Sequence, residues 1–113
     1  MELRDLGSLH DILHAARQAR SYIEGLEFDQ FSHDYLHQDG VIRQLLVVGE
    51  AAARLSQAAR DVLTSIPWRQ WIGMRNRLVH AYDLIDLEIV WLTAHDELPA
   101  LISAIEVILD SHK

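Results

Sequence analysis

The chain has 113 residues, half of them hydrophobic, with no cysteine and a formal net charge of −7. That length suits one core-bearing domain over residues 1–113, and the apolar half excludes a disordered tail. The missing cysteine excludes disulfide scaffolds, thiolate metal sites and cysteine nucleophiles, and the acidic balance argues against a uniformly basic nucleic-acid binder.

The amino terminus, MELRDLGSLHD, carries acids where a signal peptide needs a basic segment and an apolar run. No apolar stretch is long enough to span a membrane, so the expectation is a soluble, cytoplasmic protein. Ser8 is the expected cap of a first helix, whose apolar face is Leu9, Ile12, Leu13, Ala16, Ala19 and Ile23. Gly25 and the acidic turn from Glu27 to Asp29 end it. A second, long helix carries Val41, Leu45, Val48, Ala52, Leu55, Ala59 and Val62, alternating steps of four and three. Its start stays open, since Asp39-Gly40 reads as a break or as a tolerated glycine.

A third helix is expected from Pro67 through Trp68, Trp71, Met74, Arg75, Leu78 and Val79. Asp86 reads as the cap of a fourth, with Ile89, Val90 and Leu92 inward. Pro99 must kink or restart that helix before Leu101, Ile102, Ile105, Ile108 and Leu109 continue the apolar face. The fold class is therefore all-α, an antiparallel bundle of four to five helices. Trp68, Trp71 and Trp91 read as core or interface anchors rather than base-stacking platforms.

Charge is unevenly placed. Residues 1–42 carry −5 and residues 81–113 carry −6, whereas residues 43–80 carry +4, with six arginines. Arginine suits bidentate recognition of phosphate or carboxylate, although ion pairing with the acidic flanks would also account for these six. Two similar pentapeptides, His10-Asp-Ile-Leu-His14 and His33-Asp-Tyr-Leu-His37, place histidines four apart. On a helix each pair would share a face, but no third ligand is set by the sequence, so no metal site is expected.

The chemistry concentrates in Pro67-Trp68-Arg69-Gln70-Trp71-Ile72-Gly73-Met74-Arg75-Asn76-Arg77-Leu78-Val79-His80-Ala81-Tyr82. Arg75 and Tyr82 are seven apart, about two turns, and share a face if the helix persists; Asn76 and His80 are one turn apart. Glu50, flanked by alanines, reads as a solvated carboxylate or as a buried partner of Arg75 or Arg77. The cost of an unpaired buried carboxylate favours the pairing. Gly49 and Gly73 each cost a helix roughly 1 kcal/mol relative to alanine, which a close crossing of the second and third helices would explain. Arg77 reads as a phosphate contact or a surface ion pair.

Arginine, a polar residue, three more positions, histidine, one position and tyrosine: this arrangement resembles the signature of HEPN-superfamily ribonucleases. More narrowly it is similar to the HepT toxins. Val48-Gly49-Glu50-Ala51, Ile66-Pro67-Trp68, Gly73-Met74-Arg75-Asn76, His80-Ala81-Tyr82, Ile85-Asp86, Val90-Trp91 and Leu98-Pro99 extend the likeness over nearly the whole chain. The first forty residues match loosely. The resemblance implies a HEPN-like bundle and metal-independent RNA cleavage without a cofactor. It gives Arg75 and His80 catalytic roles, Asn76 and Arg77 substrate-positioning roles, and Glu50 a supporting one. It also implies a homodimer and a minimal nucleotidyltransferase antitoxin that transfers AMP from ATP onto Tyr82. A non-catalytic binding subunit of a nucleotidyltransferase complex is the competing reading, which the acidic surface suits.

Overall fold

The structure, a computed structural model, describes residues 1–112, with Tyr82 described by its backbone alone. Helix α1 (Leu3–Ile23) starts well before the expected cap at Ser8, which is buried inside it. A tertiary contact extends the helix backwards. The buried carboxylate of Asp5 accepts hydrogen bonds from the Ser56 backbone N–H at 2.9 Å and the Ser56 hydroxyl at 2.6 Å. Gly25 ends the segment at φ 78°, a left-handed conformation that glycine adopts at no steric cost.

The acidic turn after Gly25 contains a short helix, α2 (Phe28–Phe31), that periodicity is too short to reveal. Its Phe31 is fully buried and packs against Trp91, ring centroids 5.3 Å apart. Helix α3 (Tyr35–Arg54) is capped by Asp34, which accepts from the His37 N–H. Gly40 therefore lies inside the helix, not at a break. A Cβ there would come within 3.0 Å of the Tyr22 ring, so the glycine seats that ring.

The long second helix is two helices. Helix α3 stops at Arg54, and α4 (Gln57–Val62) begins after Ser56, whose hydroxyl accepts from the Ala59 N–H. The apolar alternation of four and three continues across this joint, which is why it reads as one helix. Ser56 breaks it because its backbone N–H is taken by Asp5 instead of by a carbonyl one turn back. Arg60 completes the joint, donating to the carbonyls of Ala52 and Ala53.

Helix α5 (Trp68–His80) follows Pro67 and buries Trp68, Trp71, Met74 and Leu78. After a 3-10 turn (Tyr82–Leu84), α6 (Leu87–Leu92) is capped by Asp86, which accepts from the backbone N–H of Glu88 and Ile89. Val90 is buried as expected, but Ile89 and Leu92 are 42% and 44% exposed, with Trp91 taking the inward place. The register shifts because α6 runs into a π-helical turn (Thr93–Glu97) before α7 (Leu98–Asp110). Pro99 has no N–H, so the carbonyls four and five residues earlier, His95 and Ala94, lose a helical donor. Arg20 Nη1 on α1 supplies one to both, at 3.0 and 3.1 Å.

Contacts fix the directions. The end of α1 meets the start of α3 at Tyr22 and Gly40, and its start meets the end of α3 through Asp11–Arg54 and Asp5–Ser56. Arg17 of α1 pairs with Glu106 of α7 at 2.9 Å, while Arg20 reaches the turn preceding α7. Both pairings are antiparallel, and α5 packs on the other flank of α3. The fold is an all-α bundle, and no helix of the described residues is long and apolar enough to cross a membrane.

The Asp5 contact makes stability pH-dependent. The two hydrogen bonds from Ser56 hold its carboxyl below the usual range, so its contribution is complete above the unfolded value of about 4. It is lost as pH falls through the lowered folded value. The melting-temperature gap between wild type and Asp5→Ala should be largest near pH 7 and shrink as the pH is taken progressively below about 4, by circular dichroism; an undiminished gap would refute the linkage.

Candidate active site

Helix α5 is amphipathic, and the residues singled out for chemistry lie on the part that does not enter the core. Trp71, Met74 and Leu78 define the buried stripe. Arg75 follows Met74 and lies at the seam with α3. There Gly49 lets the helices touch: a Cβ built on it would collide with the Arg75 Cβ and lie 2.9 Å from the Trp71 carbonyl oxygen. The glycine thus brings the Arg75 stem against the α3 backbone. Gly73 is different, since a Cβ there meets nothing within 4 Å, so the crossing does not explain it.

Arg75 is half-buried at this seam, and its Nη1 donates to Asn76 Oδ1 at 3.0 Å in an exposed hydrogen bond. Its Nε is buried without a hydrogen-bond partner, and no carboxylate of the described residues pairs with it. Burying a cation without a counter-charge is unfavourable, and an incoming anion would relieve it. Asn76 is exposed, and His80, one turn further, is exposed at the last position of the helix. At about 100° per residue, Asn76 and His80 share a face, with Arg75 on its α3 side. Arg75 itself lies about 140° around the helix from His80, with its guanidinium turned toward Asn76, which stands between them.

Two expectations need correcting. Glu50 is half-buried but forms no ion pair with Arg75 or Arg77 among the described residues, because the Arg75 head turns to Asn76 instead. The helix does not persist to Tyr82: it ends at His80, and Ala81 at φ −119°, ψ 39° turns the chain. Arg75 and Tyr82 therefore share no helical face, and the Tyr82 hydroxyl lies outside the described residues. Arg77 sits about 200° around α5 from Arg75 and lines a cleft against α6, so the two guanidinium groups do not converge.

The six central arginines divide. Arg54 pairs with Asp11 at 3.4 Å, Arg60 caps α3, and Arg75 holds Asn76. Arg43, Arg69 and Arg77 have no partner among the described residues. The three tryptophans are buried in the core.

The histidine pairs have separate local settings. His10 and His14 are exposed on α1. His33 precedes the α3 cap, its Nδ1 2.8 Å from the Asp29 carbonyl oxygen, whereas His37 lies within α3, its Nδ1 2.6 Å from Asp34 Oδ2. His33 and His37 are thus divided by the cap and share no helical face. The hydrogen bonds from His37 hold the Asp34 carboxyl below its usual range. No group of three or more ligating side chains that could hold a metal occurs among the described residues.

A family model described as HepT-like, ribonuclease HepT-like, matches residues 12–108. A candidate RNase of Methanocaldococcus jannaschii is 28% identical over 109 residues, covering 96% of this chain and all of that protein. A Thermococcus cleftensis protein named "Probable ribonuclease HepT" is 32% identical over 93 residues, 82% of this chain and 84% of its own. A candidate RNase of Caldanaerobacter subterraneus is 31% identical over 91 residues, 80% of this chain and 81% of its own. No solved structure shows significant similarity to the chain.

Proposed function

Because the chain belongs to the HepT-like ribonuclease family, we propose that it is the toxin of a type VII toxin–antitoxin pair, a metal-independent cytoplasmic endoribonuclease. The observation that carries the chemistry is Arg75, half-buried without a carboxylate beside the exposed Asn76 and His80. The neutral imidazole of His80 takes the proton of a ribose 2′-hydroxyl, and the 2′-oxygen attacks the adjacent phosphorus. The bond from phosphorus to the 5′-oxygen breaks, that oxygen takes a proton from solvent water, and His80 returns its proton to solvent. The products end in a 2′,3′-cyclic phosphate and a 5′-hydroxyl. Arg75 holds the phosphate oxygens as charge builds on them, and Asn76 fixes the guanidinium direction through its 3.0 Å hydrogen bond.

A homodimer completes this reading: one copy offers a single such pair, and two facing copies make a groove wide enough for RNA between acidic outer surfaces. The deciding experiment incubates purified protein with RNA in excess chelator. Cleavage should persist in chelator and fall by about 10²–10⁴-fold with His80→Ala; loss of wild-type cleavage on chelation would overturn the metal-independent mechanism, and absence of cleavage with or without divalent metal would favour a binding subunit.

Regulation rests on Tyr82. Its phenol is a hydroxyl that can be modified. A nucleotidyltransferase antitoxin transfers AMP from ATP to this oxygen, releasing pyrophosphate and placing a phosphodiester two residues past His80. The added anion can pair with Arg75 and occupy the substrate's place. Tyr82→Phe should remain toxic yet escape neutralisation on co-expression, with no AMP adduct by mass spectrometry. Full neutralisation of the Tyr82→Phe protein would refute this.

A further inference from the structure

The cleft between α5, α6 and the π-helical turn is not used by the cleavage chemistry. Its volume is about 500 Å³, large enough to receive a nucleoside. Along its α5 wall run Arg69, Gly73 and Arg77, each one turn from the next on a single ridge. The two arginines stand about 12 Å apart along the helix axis. Neither side chain makes a hydrogen bond or ion pair among the described residues. Between them Gly73 leaves an opening, since a Cβ there would meet no atom within 4 Å. Trp71, Met74 and Ile89 supply apolar lining, and Glu97 stands across the cleft on the π-helical turn.

We propose that this cleft is a nucleotide subsite of the ribonuclease, seating one unstacked base of single-stranded RNA over Gly73, with Arg69 and Arg77 on its flanking phosphates. The inference rests on the assignment of RNA as substrate and adds where a base beside the cut is read. A glycine within a helix is unfavourable by about 1 kcal/mol, and neither packing nor backbone conformation requires one here. Space for a ligand does. Two unpaired guanidinium groups suit phosphates and can stack on a base face. Glu97 decides between a base and a bare anion. Its carboxylate repels a phosphate placed inside the cleft, but accepts a hydrogen bond from an exocyclic amine on a base edge.

The test measures binding of a short single-stranded RNA to protein carrying His80→Ala, so that no cleavage is needed, beside cleavage by the protein with His80 intact. Gly73→Leu fills the opening and should weaken binding about tenfold and raise KM with kcat retained. Arg69→Ala, at an exposed position, should weaken binding and reduce the salt dependence by the share of one phosphate. RNA lacking the base at the position read should bind wild type about tenfold more weakly, and Gly73→Leu should add nothing to that loss. Inorganic phosphate should not compete at concentrations that leave the RNA bound. Unchanged RNA affinity in both Gly73→Leu and Arg69→Ala would overturn the subsite. So would additive losses from Gly73→Leu and base removal, or a Gly73→Leu protein that loses dimerisation instead, since the cleft would then seat the second copy. If wild type binds RNA through this cleft but cleaves none, the subsite stands and the cleavage reading fails.

Discussion

His80→Ala is expected to slow RNA cleavage by about 10²–10⁴-fold, the usual contribution of a positioned proton acceptor, without changing melting temperature. The ring is exposed at the end of α5 and makes no hydrogen bond among the described residues, so its removal leaves no unpaired partner. Arg75→Ala should abolish measurable cleavage as well, and Arg75→Lys should not restore it. An ammonium cannot form the two-pronged phosphate contact while also holding Asn76 Oδ1. The measurement is initial rate on RNA beside helicity and Tm. Wild-type rates from either alanine variant would remove that residue from the mechanism.

The second large effect is on stability, and it separates two glycines of similar appearance. Gly49→Ala should destabilise the protein by about 1–3 kcal/mol, the range for forcing atoms into a packed seam, even though alanine is the better helix former. The methyl group would strike the Arg75 Cβ and the Trp71 carbonyl oxygen, neither of which is the free end of a flexible chain. Helices α3 and α5 must therefore separate, which displaces Arg75 and lowers cleavage with stability. Gly73→Ala should do the reverse, raising stability by up to about 1 kcal/mol, because its methyl group meets nothing. Denaturant titration of the two variants decides this. A Gly49→Ala protein as stable as wild type would show that the crossing relaxes freely.

Much of this protein was determined locally. The apolar faces of α1, α5 and α7 are legible because a stripe recurring every three to four residues can be buried in only one way. The Asp86 cap and the Pro99 disturbance are equally local, since one is a side chain reaching the N–H groups two and three residues on and the other is a missing donor. The grouping of Arg75, Asn76 and His80 within six positions is likewise in the chain order.

Tertiary structure decided most of the rest, largely through partners far away in sequence. Asp5 reaches Ser56 across 51 residues, which starts α1 early and divides the expected long helix into α3 and α4. Arg20 holds the carbonyls freed before Pro99, so the helix passes through a π turn that rotates Ile89 and Leu92 outward. Ala81 ends α5 before Tyr82, separating two residues that a continuing helix would have aligned. Gly49 and Gly73 carry the same helical cost, and only the neighbouring helix distinguishes them: one faces Arg75 and Trp71 at contact distance, the other an open cleft. Helical periodicity reports which face of a segment is apolar. What lies opposite that face, and how closely, is set by chain contacts that no local pattern encodes.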